Sequence, residues 1–330
     1  MAVLQLRSLT DPSMLDKAIS TMTAIVNEPH FDKKELQRLR KQVLISLKNQ
    51  LQSPGSIADK TFYRTLYLQH PYATPTAGEP ETVKSINRED ILKFYKQYYV
   101  GRNAVVAIVG ALDKSEAREM AERLVGKLAK GKSAADLPEV NALQQAEVVE
   151  NAYPSTQTHI LVGQPGMMRG DPDYFDLYVG NHILGGGGFG SRIMKVIRDE
   201  NGLAYSCYSY FLPMREKGPF IMGLQTKNES RDQALDLLDK TLREFIAQGP
   251  TEDELVHAKM NITGGFPLRI DSNKDIVEYI AMLGFYDLPL DYLNTFNNKV
   301  NAVSLESIKD AFARRVEPGK LLIVTVGNGS

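Results

Sequence analysis

The chain holds one cysteine, Cys207, in 330 residues. That scarcity excludes an internal disulfide and any cysteine-rich metal site. Charge of either sign is barely in excess, with 39 basic residues against 40 acidic ones. The balance argues against a surface that holds nucleic acid or a membrane by bulk electrostatics. No apolar run approaches the ~18 residues of a membrane span. Histidine is sparse and scattered (His30, His70, His159, His182 and His257). None of the five begins an H-x-x-E-H helix, the spacing that aims two imidazoles at one zinc ion with a glutamate beside them. No signal peptide starts at Met1, although a truncated start would hide one. The compartment is therefore left open, with bacterial periplasm or cytoplasm as the expectation. What is present is 43% hydrophobic content, ample for two buried cores in a chain of this length.

The chain repeats itself. The strand-like run Asn103-Ala104-Val105-Val106-Ala107-Ile108-Val109-Gly110 matches Lys320-Leu321-Leu322-Ile323-Val324-Thr325-Val326-Gly327, 217 positions on. The same offset relates Ile86 through Ile91 to Val303 through Ile308, and Tyr95 to Phe312. Glu35-Leu36 answers Glu254-Leu255, and the Ser56 to Asp59 stretch resembles Ser272 to Asp275, with small drifts in register. So long a period indicates two tandem domains of one fold, not a stacked array. The first copy has only 34 residues before Glu35. The second has about a hundred before Glu254, so the first domain is expected to lack about seventy N-terminal residues.

Along the chain, residues 1–7 read as a short strand. Asp11-Pro12 opens a helix carrying Leu15, Ile19, Met22 and Ile25 at helical spacing. Asp32 and Glu35 open a long helix to about Leu51, stopped by Pro54-Gly55. Helices follow over 56–68 and 88–98, then a strand over 104–109 and a helix to about Leu128. The stretch 129–146, rich in Lys, Ala, Gly and Gln, reads as a linker. It separates the C-terminal part of a first domain (1–128) from a second domain (147–330). The second domain is expected to have strands over 147–151, 156–162, 204–212, 218–226 and 321–326, with a helix from Asp171-Pro172 to Leu184. Grouped this way, the elements indicate an α+β class, each domain being a mixed or antiparallel sheet covered by helices on one face.

Two segments carry candidate chemistry. Gly185-Gly186-Gly187-Gly188, followed by Phe189, interrupts two apolar helices at a cost in chain entropy. It can be a phosphate cradle, a mobile loop that lets an extended peptide approach, or a simple turn. No Lys-Ser/Thr follows it and no buried strand precedes it, so it is neither a Walker loop nor a dinucleotide fingerprint. Arg198 ends the next helix, Gly202 stops it, and Tyr205 begins the following strand. A guanidinium and a phenol brought together can donate hydrogen bonds to an oxyanion, although an arbitrary Arg and Tyr at this spacing are more often structural. His182 and Cys207 read as core residues. The Tyr208, Tyr210 and Phe211 group reads as sheet packing.

Together these residues resemble a known family. The run Gly187-Gly188-Phe189-Gly190-Ser191-Arg192 and the run from Ile197-Arg198-Asp199-Glu200-Asn201-Gly202 to Leu203-Ala204-Tyr205-Ser206 resemble the second-domain signature of pitrilysin/insulinase-type zinc peptidases, which include the mitochondrial processing peptidase. Pro29-x-Phe31 with Glu35-Leu36, His70-Pro71-Tyr72 with Gly78-x-x-Glu81, and Tyr98-x-x-Gly101-x-Asn103 resemble first-domain segments. The resemblance covers the whole chain in order. It implies a zinc motif opposite the Asn181 to Gly188 stretch, in the part the first copy lacks. It also implies two glutamates seven apart on the helix after Phe31, and this chain has Leu39 and Ser46 there. Without the anionic oxygen at Ser46, a zinc site would lose a ligand and a balancing charge.

The resemblance therefore implies a non-catalytic subunit of a two-chain zinc metallopeptidase, with no metal in this chain. Arg198 and Tyr205 would form the transition-state pair, and Gly185, Gly186, Gly187, Gly188 and Phe189 the substrate loop. Its partners would be a zinc-bearing peptidase subunit of the same fold (or a second copy) and a peptide substrate. An active peptidase whose zinc motif lies in the missing segment is one alternative. A structural subunit similar to the inactive core proteins of respiratory complexes is the other.

Overall fold

The computed structural model describes residues 1–328. The chain divides into two compact units, and each draws on both halves of the sequence. One contains Met1–Ile45, Glu79–Asp136 and Leu268–Tyr292; the other contains Ser46–Gly78, Leu137–Pro267 and the chain from Leu293 onward. In chain order the helices of the first half are α1 (Pro12–Asn27), α2 (Lys33–Gln50), α3 (Pro54–Tyr67), α4 (Pro80–Ser85), α5 (Arg88–Tyr98) and α6 (Lys114–Val125). Then come β1 (Glu147–Ala152), β2 (Gln157–Pro165), α7 (Tyr174–Asn181), β3 (Cys207–Phe211) and β4 (Pro219–Lys227). The chain continues through α8 (Arg231–Gln248), α9 (Glu252–Gly265), α10 (Asn273–Tyr286), α11 (Tyr292–Ala302), α12 (Leu305–Arg315) and β5 (Leu322–Gly327).

The starts of these helices follow from their sequences. Asp11 caps α1 through the Met14 N–H, with Pro12 at the first helical position. Ser53 and Ser272 cap α3 and α10. Asn87 with Asp90, Thr251 with Glu254, and Ser304 with Ser307 form reciprocal capping boxes for α5, α9 and α12.

The sheet lies in the second unit, in the order β1-β5-β2-β4-β3. β1 runs parallel to β5, and every other pair is antiparallel. Its central strand β2 is buried on both faces, which is why Ile160-Leu161-Val162 is continuously apolar instead of alternating. On one face Phe211, Phe220, Phe245 and Phe312 form a ring cluster, with centroids 4.6 Å apart for Phe211–Phe220 and 4.9 Å for Phe245–Phe312. On the opposite face α3 sets Ala58, Phe62, Leu66 and Tyr67 against Leu161, Ile221, Val324 and Val326. Helices thus cover both faces, where the sequence pattern indicated one. The second cover is α3, from a hundred residues upstream, which no local pattern could assign to this sheet.

In the first unit α1 packs on α6, with Asn27 Nδ2 donating to the Leu124 carbonyl (2.8 Å) and Arg123 paired with Asp16 (2.7 Å). The Phe31 and Tyr95 rings meet edge to face at 5.7 Å, and the Tyr95 hydroxyl donates to the Val26 carbonyl at 2.7 Å. Two expected strands do not form. Neither 1–7 nor 104–109 joins a ladder among the described residues. A strand exists only through hydrogen bonds to a neighbour, and these two segments have no partner strand there.

Candidate functional site

All the candidate residues fall in the second unit, between α7 and β3. The start of α7 is fixed by a charge network: Arg315 pairs with buried Asp171 and, at 3.0 Å, with Asp173, while Arg314 reaches Asp173 at 2.8 Å. From Asn181 the helix widens into a π turn, His182–Gly186, followed by a 3₁₀ turn, Gly188–Gly190. A second π turn, Met194–Glu200, carries Arg198. Such turns break the regular backbone ladder and concentrate at functional positions.

The glycine run divides in two. Gly185 is buried against β3, and a Cβ there would lie 2.4 Å from Ser209 Oγ. The same contact is sealed by a buried pair, Asn181 Nδ2 donating to the Ser209 carbonyl (3.0 Å) and Ser209 Oγ donating to Asn181 Oδ1 (2.7 Å). Gly186 and Gly187 turn back on Asn181 and His182. Gly188, by contrast, is open to solvent and has φ +64, a conformation in which a side chain is strained. Ser191, fully buried, donates to the Gly188 carbonyl at 2.7 Å and closes the turn.

Beyond the turn, Arg192 anchors the loop. Its guanidinium makes a two-pronged pair with Glu254 of α9 (2.7 and 2.6 Å), donates to the Gly249 carbonyl at 3.0 Å and lies 5.1 Å from the Phe245 ring. Burial raises the Glu254 pKa, but the Arg192 and Thr251 hydrogen bonds outweigh it and hold the carboxyl below its ordinary value.

The centre of the site is a stack. The Arg198 guanidinium sits 4.6 Å from the Phe189 ring centre and 5.1 Å from that of Tyr205. Phe189 is 69% exposed and Tyr205 84%. Attraction between the cation and each ring is worth about 0.5–1 kcal/mol at such an exposed position. The Gly202 N–H bonds to the Arg198 carbonyl (2.9 Å), and Thr226 Oγ1 donates to the Leu203 carbonyl (2.6 Å), which fixes the turn between Arg198 and Tyr205. Both rings thus lie within cation–π range of the guanidinium. The nearest carboxylate, Asp199, lies 3.9 Å away, beyond hydrogen-bond length. A partly covered guanidinium thus lies beside the ring of an exposed tyrosine, and these residue types can donate to an oxygen that gains negative charge.

The structure brings together Arg198, Tyr205 and Phe189 from the sequence reading and places Gly188 beside them. Gly185 sits instead in packing. The Arg192–Glu254 anchor joins residues 62 apart, and nothing local in the sequence pairs them. Cys207 is buried beside Met194 and its thiol is pushed up to about 11 by burial, so it stays protonated.

Zinc does not fit the residues present. On α2, Leu39 and Ser46 are exposed, and Glu35 is engaged by Arg38 at 2.7 Å. Among the described residues no three of His, Cys, Asp or Glu gather where they could hold a metal ion. No helix among them is long and apolar enough to cross a membrane.

Comparison with known proteins bears on the family. A Helicobacter pylori protein named "Non-peptidase homolog YmxG" is 27% identical over 318 residues, spanning 95% of this chain and 72% of that protein. The "Uncharacterized zinc protease YmxG" of Bacillus subtilis is 26% identical over 282 residues, covering 84% of this chain and 67% of that protein. A crystal structure from Pseudomonas fluorescens, described as a peptidase M16 inactive domain, superposes with a TM-score of 0.94 at 34% identity, over 98% of this chain and 77% of that one. With the family model described as "Peptidase M16 inactive domain" matching residues 85–262, the chain belongs to the M16 peptidase family through its inactive domain.

Proposed function

We propose that this chain is the non-catalytic subunit of a two-chain zinc metallopeptidase, and that it presents Arg198 and Tyr205 to a peptide bound with a zinc-bearing partner of the same fold. The observation that carries the reading is the Phe189–Arg198–Tyr205 cluster, with both rings exposed, on a chain that has Leu39 and Ser46 on α2 where the family resemblance implies two glutamates. A division of labour explains both facts at once. The partner polarises the scissile carbonyl with its metal, and this chain donates hydrogen bonds to the same oxygen as charge develops on it. Gly188 and Phe189 form the rim that an extended peptide passes, while Gly185 supports the rim from beneath. The names of the two bacterial relatives, one a non-peptidase and the other a zinc protease, are compatible with a family that keeps both kinds of chain.

The test is peptide hydrolysis by the reconstituted pair. Arg198→Ala is expected to lower turnover by ~10²-fold, the scale for losing one oxyanion donor, while costing no more than about 2 kcal/mol of stability from the two lost ring contacts. An unchanged rate would leave this chain a structural role only.

A further inference from the structure

In a chain with 39 basic and 40 acidic residues, the 18 residues of α2 hold Lys33, Lys34, Arg38, Arg40, Lys41 and Lys48 against a single acid, Glu35. The equally long α8 mixes its signs. It sets Arg231, Lys240 and Arg243 among Asp232, Asp236, Asp239 and Glu244, with Arg231 on Asp232 at 2.8 Å and Arg243 on Asp239 at 2.7 Å. A solvated helix face is ordinarily built as in α8, because like charges three and four residues apart repel. α2 retains that repulsion. Arg40 has a packing role, donating to the Val83 carbonyl at 3.2 Å and to that of Ile86, and Arg38 pairs with Glu35 at 2.7 Å. Among the described residues Lys33, Lys34 and Lys41 have no ion pair.

Lys34, Arg38, Lys41 and Ile45 follow one another at intervals of 4, 3 and 4, so they form one seam about 16 Å long on α2. All four are exposed, Ile45 by 60%. The second half of the chain shows what the fold does with such a seam. At an offset of 219, α1 at Pro12 answers α8 at Arg231, and α2 at Lys33 answers α9 at Glu252. The seam positions become Asp253, His257, Met260 and Gly264, and these are exposed too. The residues that α9 buries, Leu255, Ala258 and Ile262, answer Leu36, Leu39 and Val43, which lie outside the seam. The fold therefore turns this seam outward in both copies and requires no cation on it, since α9 has none at these places.

We infer that the outward seam of α2 is a docking surface for an acidic helix of a partner protein. Charge complementarity sets the sign of the occupant, and the spacing sets its form. A helix lying along another meets it at every third and fourth residue. The occupant thus presents Glu or Asp to Lys34, Arg38 and Lys41 and lays one apolar residue over Ile45. A lone exposed apolar side chain among cations is too narrow a stripe to enter a lipid surface. The balanced charge of the chain provides no wide basic field for a nucleic acid. Solvated charge pairs around one apolar contact make a weak complex that salt loosens. Neither the seam nor its occupant depends on the role given to Arg198 and Tyr205.

Fluorescence anisotropy tests it on the 330-residue chain. The probe is a labelled alanine-based helical peptide of about 18 residues, with glutamates at the 4-3-4 spacing and one leucine placed for Ile45. Saturable binding with a Kd on the order of 10⁻⁵ M is expected at low salt, weakening ~10-fold or more as salt rises to about 0.5 M. Lys41→Glu and Lys34→Glu should each weaken it ~10-fold while the melting curve of the chain stays in place, and Lys41→Arg should bind as the parent does. Absence of saturable binding would overturn the inference. Equal binding of a peptide with the same composition in scrambled order would do so too, since bulk charge attraction then suffices. So would undiminished binding by Lys34→Glu, or tighter binding to phosphatidylglycerol vesicles or duplex DNA than to the peptide.

Discussion

Residues 104–110 and 321–327 are two printings of one pattern with opposite outcomes. Leu322 is fully buried in β5, between β1 and β2, whereas its counterpart Val105 is 49% exposed on a segment with no ladder among the described residues. The local sequence is equally strand-prone in both. The difference lies in neighbours: β-propensity expresses fit to a pleated, half-buried surface, and only one copy has that surface. Strand formation here belongs to the sheet and not to the segment.

The largest test of that contrast is a charge placed at both positions. Leu322→Asp strands an unpaired carboxylate in a dry core and should cost more than about 4 kcal/mol, enough to prevent folding. Val105→Asp in the same 330-residue chain should change stability by no more than about 0.5 kcal/mol. Equal losses in urea denaturation would break the comparison.

The glycine run offers a smaller version of it. Gly185→Ala forces a methyl onto Ser209 and should cost about 1–3 kcal/mol. At Gly190 a Cβ meets nothing within 4 Å, and alanine there should stay within about 0.5 kcal/mol. Matching melting temperatures for the two variants would contradict the division between packed and open glycines.

The smallest expected effect is a pH dependence. The Arg192 pair lowers the Glu254 pKa in the folded state, so its stabilisation is complete above the ordinary glutamate value of 4.5 and is lost as pH falls below it. For a partly exposed pair this is about 1 kcal/mol. Glu254→Gln should flatten the acid limb of the stability profile by that amount, and an unaltered limb would assign the acid sensitivity elsewhere.

Much of the fold was legible because its signals are local. The proline start of α1 and the apolar run of β2 each lie within a few residues. The Arg198–Tyr205 pair was legible because one short turn joins its members and because the segment resembles a known signature. What escaped depends on distance along the chain. The Arg192–Glu254 anchor, the Asn181–Ser209 seal and the α3 cover on the sheet join residues that no window of sequence contains together. The failed strands at 1–7 and 104–109 escaped for the complementary reason, since their pattern is correct and their partners are missing from the described residues.

The most direct measurement of the central claim is zinc bound per chain in the purified, full-length protein, read beside its peptide hydrolysis in the absence of any partner. The account predicts no stoichiometric zinc and no chelator-sensitive hydrolysis. One zinc per chain, with hydrolysis that a chelator stops, would contradict it.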